Sequence, residues 1–148
     1  MPNFSHLLRK PVSDAKKPPV LPEGTYYGQI TKHDLGESAQ KKTPFLQWSG
    51  TYTHAEDSVD LRDEAGEPIV LEGKRFQFSH YLTEDSLYRL REFLESCGLE
   101  TEGRSFEELI PQAIGKSVML EIIQAPIEDK QTGETRMIHR VNNIVGQG

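Results

Sequence analysis

The hydrophobic period of this chain changes twice, and that double change restricts the fold more than any other feature. Before Thr83 the apolar residues fall in short runs rich in aromatic and β-branched side chains. Between Thr83 and Gly115 they recur at three- and four-residue steps, and after Lys116 the short runs return. A period near two places side chains alternately on the two faces of a strand, and a period near 3.6 lines one face of a helix. Strands are therefore expected over Gly24–Lys32, Phe45–His54, Lys74–Leu82, Lys116–Gln124 and Arg136–Val145. Gly28, in mid-strand, signals a bulge or sharp bend. The third strand alternates cleanly, with Phe76, Phe78 and His80 on one face and Arg75, Gln77, Ser79 and Tyr81 on the other. Asp34 to Lys42 is polar and predicts a loop, and Pro126 is expected to terminate the fourth strand.

The helical segment carries its own punctuation. Thr83 is expected as an N-cap, with Glu84 and Asp85 placed against the helix dipole. Leu87, Leu90, Leu94 and Cys97 form the apolar stripe, and Gly98 is a natural stop. A second, shorter helix follows the capping-box pattern Ser105-Phe106-Glu107-Glu108 and ends by Gly115, perturbed by Pro111. The order of parts is β-β-β-α-β-β, with no internal repeat. It predicts a mainly β fold, a five-stranded Greek-key β-barrel of the OB-fold type, with residues 83–114 as a helical insert between the third and fourth strands. Closure would hide the sheet edges that an open meander leaves bare. A twisted sheet with helices on one face has the same string of parts and stays open as a competitor.

Residues 1–22 are expected to form a flexible, extended arm, because Pro2, Pro11, Pro18, Pro19 and Pro22 remove backbone donors and favour polyproline geometry. Phe4, Leu7 and Leu8 in that arm could plug into a neighbouring subunit or a partner. The domain proper then runs over residues 23–148. The hydrophobic content of the whole chain, 35%, is low for a fully packed one, in keeping with an appendage outside the core. The longest apolar run, around Val118 to Ile123, is far too short to span a membrane, so no membrane partner is expected. The single cysteine, Cys97, can form neither an internal disulfide nor a zinc site, and a reducing, cytoplasmic setting is the default.

The formal charge of −6 argues against a uniformly basic nucleic-acid binder, yet the charge is unevenly spread. Residues 54–72 hold seven acids against Arg62, and residues 82–115 hold eight acids against three arginines. The strand-forming stretches 24–53, 73–81 and 116–148 together carry +3. The acidic loop, residues 55–72, lacks periodicity and is expected to be partly mobile.

Catalytic and metal-binding motifs fail in turn. Gly115-Lys116-Ser117 is not a phosphate loop: the leading glycine position is Ile110, and the triplet follows a helix and precedes a strand. Asp57, Asp60, Asp63, Glu64 and Glu67 do not follow the calcium-loop spacing. The five histidines do not cluster, and no serine or cysteine sits in a nucleophile context. No enzyme, metal or cofactor is expected. Aromatic and basic residues interleaved on strands remain. Single-strand binders pair a positive groove with aromatic platforms, each stacked base contributing ~1–3 kcal/mol. The candidate nucleic-acid-binding residues are Tyr27, Trp48, Tyr52, Lys74, Arg75, Tyr81, Arg136 and Arg140. Half or more of the aromatics among them are expected to be core, since a small barrel must fill its interior; of Tyr26 and Tyr27, one should face out.

From Leu21-Pro22-Glu23-Gly24-Thr25-Tyr26-Tyr27 onward, through Leu87 to Gly98 and Gly115-Lys116-Ser117-Val118, the chain resembles a set of small bacteriophage proteins, some of which look like OB-fold single-stranded DNA-binding proteins. The resemblance implies sequence-nonspecific binding of single-stranded DNA in phage replication or recombination, with self-association or docking through the arm. The chain departs from many replication-type binders at its end, Asn142 to Gly148, which has no acidic tip. Two other functions fit the sequence. One is a structural or scaffolding protein of a virion, laced by the arm. The other is an adaptor or inhibitor whose acidic loop occupies a host protein's basic site.

Overall fold

A computed structural model describes residues 8–9, 19–63 and 65–148. Five strands form one antiparallel sheet: β1 (Gly24–Glu37), β2 (Pro44–Ala55), β3 (Arg75–Tyr81), β4 (Ser117–Glu128) and β5 (Thr135–Gly146), in the spatial order β3-β2-β1-β4-β5. Between β3 and β4 lie helix α1 (Leu87–Ser96), helix α2 (Phe106–Leu109) and a 3₁₀ turn over Ile110–Ala113. The long β1 is shared: Gly24–Gln29 pairs with β4, while β2 accompanies it along almost its whole length. The register slips at Tyr27/Gly28 and again between Ile30 and Lys32, where the strand bends. Gly28 and Gly50 are required at that bend, because a Cβ on either would press into the ring of Phe76 and a backbone carbonyl of the neighbouring strand.

The alternation of the strands puts one continuous apolar face inward. Tyr26 and Ile30 of β1, Leu46, Trp48 and Tyr52 of β2, Phe76 of β3, Val118, Leu120 and Ile122 of β4 and Ile144 of β5 are all buried. Leu90, Phe93, Leu94 and Cys97 of the α1 segment close over them. Burying an aliphatic or aromatic side chain of this kind contributes about 1.5–3 kcal/mol, so this face is the main source of stability. Gly98, in left-handed backbone at φ +83°, ends α1. The final residues then tie back onto it: Ser96 Oγ accepts from the Gly146 N–H at 2.7 Å, and the Gly148 N–H donates to the Ser96 carbonyl at 3.1 Å.

Several boundaries differ from those expected, each for a physical reason. β1 runs to Glu37 instead of stopping at Lys32, because its polar end pairs with β2 as a hairpin closed by the Ser38–Thr43 turn. β4 runs through Pro126 to Glu128. Beyond Ile122 it has β5 as its one neighbour, so a proline without an N–H leaves no second ladder broken. α1 starts at Leu87 with Ser86 at the cap position, while Thr83 forms a preceding turn through its carbonyl. The capping box at Ser105 does form, with the Glu108 N–H donating to Ser105 Oγ at 3.1 Å.

Two segments are more ordered than their composition suggests. In the 55–72 loop, Ile69 and Leu71 are buried, Val59 and Leu61 pack beneath them, and Arg62 bridges Pro68. The stretch is thus folded back on the core, with Glu56, Asp57, Asp60, Glu67 and Glu72 exposed. At the end of the arm, Leu21 is fully buried: its N–H donates to His139 Nδ1 at 3.0 Å, and its carbonyl accepts from Gln124 Nε2. Leu21 thus packs within the core cluster of the sheet and helix. Phe4 and Leu7 lie outside the described residues, and Leu8 is exposed.

The ladder does not close. Alternating antiparallel pairing makes β3 and β5 run in the same direction, and their Cα atoms come within 8 Å. Paired strands lie about 4.8 Å apart. Among the described residues no ladder joins these two, so the sheet is open at this seam.

Candidate nucleic-acid interface

The seam between β3 and β5 is flanked by two clefts that share Phe78, Ser79 and Tyr81. The larger, about 1160 Å³, opens on the outward face of β2 and β3. Strand alternation builds it: Trp48 turns inward, so Gln47, Ser49 and Thr51 turn outward, and Phe76 turning inward sends Arg75, Gln77 and Ser79 out beside them. Lys32 from the bent part of β1 and His139, Arg140 and Val141 from β5 join the lining, as do Tyr52, Phe76 and Phe78 of the inward phase. Its charged residues are Lys32, Arg75 and Arg140, with no carboxylate, in a chain whose net charge is −6. Lys32 pairs with Asp34 at 3.0 Å, whereas among the described residues no carboxylate reaches Arg75 or Arg140 within salt-bridge distance. Both arginines are exposed at the surface.

His139 lies partly buried at this edge. Burial, then the nearby Lys74 charge, lowers its pKa from the ordinary histidine value. Its Nδ1 accepts the Leu21 N–H, which ties the arm's end to the wall of the cleft.

Of the residues singled out from the sequence, Tyr52, Arg75, Tyr81 and Arg140 line this cleft, and the Lys74 charge acts on His139 at its edge. Tyr81 is 53% exposed and borders both clefts. Trp48 must be corrected as a stacking platform, and Tyr52 lines the cleft with only 5% of its surface exposed. Trp48 is completely buried, and Tyr52 packs edge-on against Tyr26 at 5.7 Å and Phe76 at 5.5 Å. They lie on the inward phase of β2, and burial pushes the Tyr52 hydroxyl up to about 12. Tyr27 does turn out, opposite buried Tyr26, but its ring is taken up by stacking on His54 at 4.6 Å. Arg136 belongs to the β4–β5 hairpin tip, where its charge helps lower the Asp129 pKa, after the Gln131 N–H that is the main cause. It does not line the cleft.

Sequence reasoning missed Lys32, Gln47, Ser49 and His139. The signal for Gln47 and Ser49 was present, since residues flanking an inward Trp48 must face outward. Lys32 and His139 depend on the bend in β1 and on the meeting of β3 with β5, which no local pattern announces.

The smaller cleft, about 570 Å³, lies on the other side of the shared residues, between β3, α1 and the end of β5. At its floor is His80, 8% exposed, which accepts the Trp48 indole N–H on Nδ1 at 3.0 Å. Burial first, and the Arg89 charge second, lower the His80 pKa to about 4, so the ring is neutral at pH 7 and carries its proton on Nε2.

Among the described residues no group of three metal-ligating side chains comes together. Cys97 is buried, and burial pushes its thiol up to about 11, far from a reactive thiolate. No helix among the described residues is long and apolar enough to cross a membrane. No model of a known protein family matches the sequence, and no curated protein matches it.

Proposed function

We propose that this protein binds single-stranded DNA along the β3–β5 seam, as an OB-type barrel whose last ladder is left unlaced. Strand order β3-β2-β1-β4-β5, a bent first strand shared by both halves, a helical segment between β3 and β4, and parallel β3 and β5 at the seam all support the barrel. The observation that carries the function is the larger cleft's charge. An acidic chain places 15 of its 23 acids on the 55–72 flap and the helical segment, and keeps the lining of one solvent-facing groove free of carboxylates. Phosphate neutralisation by Lys and Arg is the sequence-independent part of nucleic-acid binding. Three cations around one groove suit a backbone of phosphates better than a single anion. The surrounding Gln47, Ser49, Gln77 and Ser79 supply neutral hydrogen-bonding groups with no fixed base code. Such binding serves replication or recombination of a phage genome, the role that the resemblance of the sequence suggests.

Replacing Arg75 and Arg140 together by Gln tests this reading. Neither arginine packs in the core, so the fold should persist. Loss of two phosphate contacts should weaken binding of an oligo-dT by about tenfold or more at low salt, and shrink the slope of log K against log salt by about 1.4. Unchanged affinity and slope in a folded variant would remove the cleft as the binding site.

A further inference from the structure

The smaller cleft has a feature that the sheet itself does not need. His80 is more than nine-tenths buried, yet among the described residues only its Nδ1 has a partner, the Trp48 indole N–H. Every side-chain nitrogen or oxygen sealed from solvent among the described residues is hydrogen-bonded, so the unpartnered Nε2 must reach accessible space, and the space His80 lines is this cleft. The Trp48 bond fixes the tautomer. It forces the neutral ring to present an N–H donor at the cleft floor, beside the rings of Phe78 and Phe93.

The rim is equally particular. Tyr88 is 54% exposed, its hydroxyl accepts from Arg89 Nε at 3.1 Å, and the Arg89 guanidinium lies 5.7 Å from the Tyr88 ring centre. Glu92 balances Arg89, so the lining carries no net charge, unlike the larger cleft. Asn143 stands on the opposite wall, from β5. A neutral slot with apolar ring walls, a fixed donor at its floor and an amide at its side suits a flat heterocycle that accepts hydrogen bonds and does not suit a phosphate. Because the two clefts share Phe78, Ser79 and Tyr81, a strand whose phosphates follow Arg75 and Arg140 passes Tyr81 at the entrance of the slot.

We infer that the cleft between β3, α1 and the end of β5 is a nucleobase subsite, in which His80 Nε2–H donates to an acceptor of one base while Tyr81 and Tyr88 hold its faces. This rests on the single-strand reading and deepens it. Every base carries a carbonyl or ring-nitrogen acceptor, so the subsite distinguishes bases from bare backbone more than it distinguishes one base from another.

The test uses the full chain and four oligonucleotides of equal length: dT, dC and dA homopolymers, and an abasic strand with the same phosphates. Binding is followed by anisotropy of an end label, and Trp48 emission is recorded in parallel. Trp48 cannot touch a base, but its indole N–H is bonded to His80, so filling the slot should shift its emission. The account predicts that base-bearing strands bind about tenfold tighter than the abasic one. It also predicts that only base-bearing strands move Trp48 emission. His80→Asn, which keeps an acceptor for Trp48 and leaves no N–H at the position of Nε2 because its amide is shorter than the imidazole, should bring the base-bearing strands towards the abasic affinity and leave the abasic affinity unchanged. Tyr88→Ala, at an exposed position, gives the same comparison should His80→Asn fail to fold. If the folded variants bind all four strands as the wild type does, the subsite is wrong and the phosphate-binding cleft stands. If the wild type binds none of the four at low salt, the single-strand reading itself fails, and the subsite with it.

Discussion

Replacing His80 by Asn should remove a specific part of the protein's acid sensitivity, and the size of that part follows from the burial of the imidazole. In the folded chain the ring sits under Phe78 and Phe93, accepts the Trp48 N–H, and has its pKa lowered from 6.5 to about 4. In the unfolded chain the same ring titrates near 6.5. Between those two values the unfolded state binds the extra proton, so stability rises with pH across the window. The contribution is fully present above about pH 6.5, falls as the pH is lowered, and is gone near pH 4. A separation of this size corresponds to roughly 3 kcal/mol in all, of which about 2 kcal/mol is lost between pH 7.5 and pH 5. Asn places an oxygen where His places Nδ1, so Trp48 keeps its partner while the titrating group disappears. Urea unfolding of the wild type and His80→Asn at several pH values between 5 and 7.5 measures the difference directly. The variant should be less stable at pH 7.5, through lost packing, and the gap should narrow by about 2 kcal/mol by pH 5. Carboxylates and the His139 imidazole also titrate, but they are common to both proteins and cancel in the difference. A gap independent of pH would refute the assignment of a buried, neutral His80.

Other positions test the packing that shapes the clefts. Gly50→Ala forces a methyl group against the Phe76 ring and the Gln29 carbonyl, and should cost about 1–3 kcal/mol in chemical denaturation; a neutral result would mean that β1 and β2 are not so close at the bend. Leu21→Ala empties a fully buried site at the base of the arm and should cost about 2–5 kcal/mol, whereas a solvent-exposed arm residue would cost almost nothing. Ser96→Ala removes both the acceptor for the Gly146 N–H and the donor to the Phe93 carbonyl. Unfolding should become easier by about 1–3 kcal/mol, with faster amide exchange at Gly146 as the local signature.

Much of the fold was legible because period and punctuation agreed. Phe76, Phe78 and His80 alternate against Arg75, Gln77 and Tyr81, and the sheet keeps that division. Leu90, Leu94 and Cys97 step along a helix that Gly98 stops. The unforeseen parts depend on partners distant in sequence. The polar stretch after Lys32 became strand because β2 was available to pair with it, and Pro126 was accommodated because β1 had already ended. Ile69 and Leu71, apolar residues within an acid-rich stretch, anchored a loop that charge alone marks as mobile. For the site, alternation identified Arg75 and Tyr81 correctly as outward. It could not show that Arg140, Lys32 and His139 would meet them, since that needs β5 brought alongside β3. Trp48 was misplaced for the converse reason: an aromatic residue on a short strand serves a core or a ligand equally well, and only the phase of β2 decides.

Titration of the full chain with an oligo-dT of about a dozen nucleotides at increasing salt tests the binding role most directly. Three phosphates engaged by Lys32, Arg75 and Arg140 predict a slope of log K against log salt near −2 and an affinity loss of about twentyfold from 50 to 200 mM salt. A folded protein that shows no binding at the lowest salt, or an affinity indifferent to salt, would contradict the assignment of this groove to a single strand.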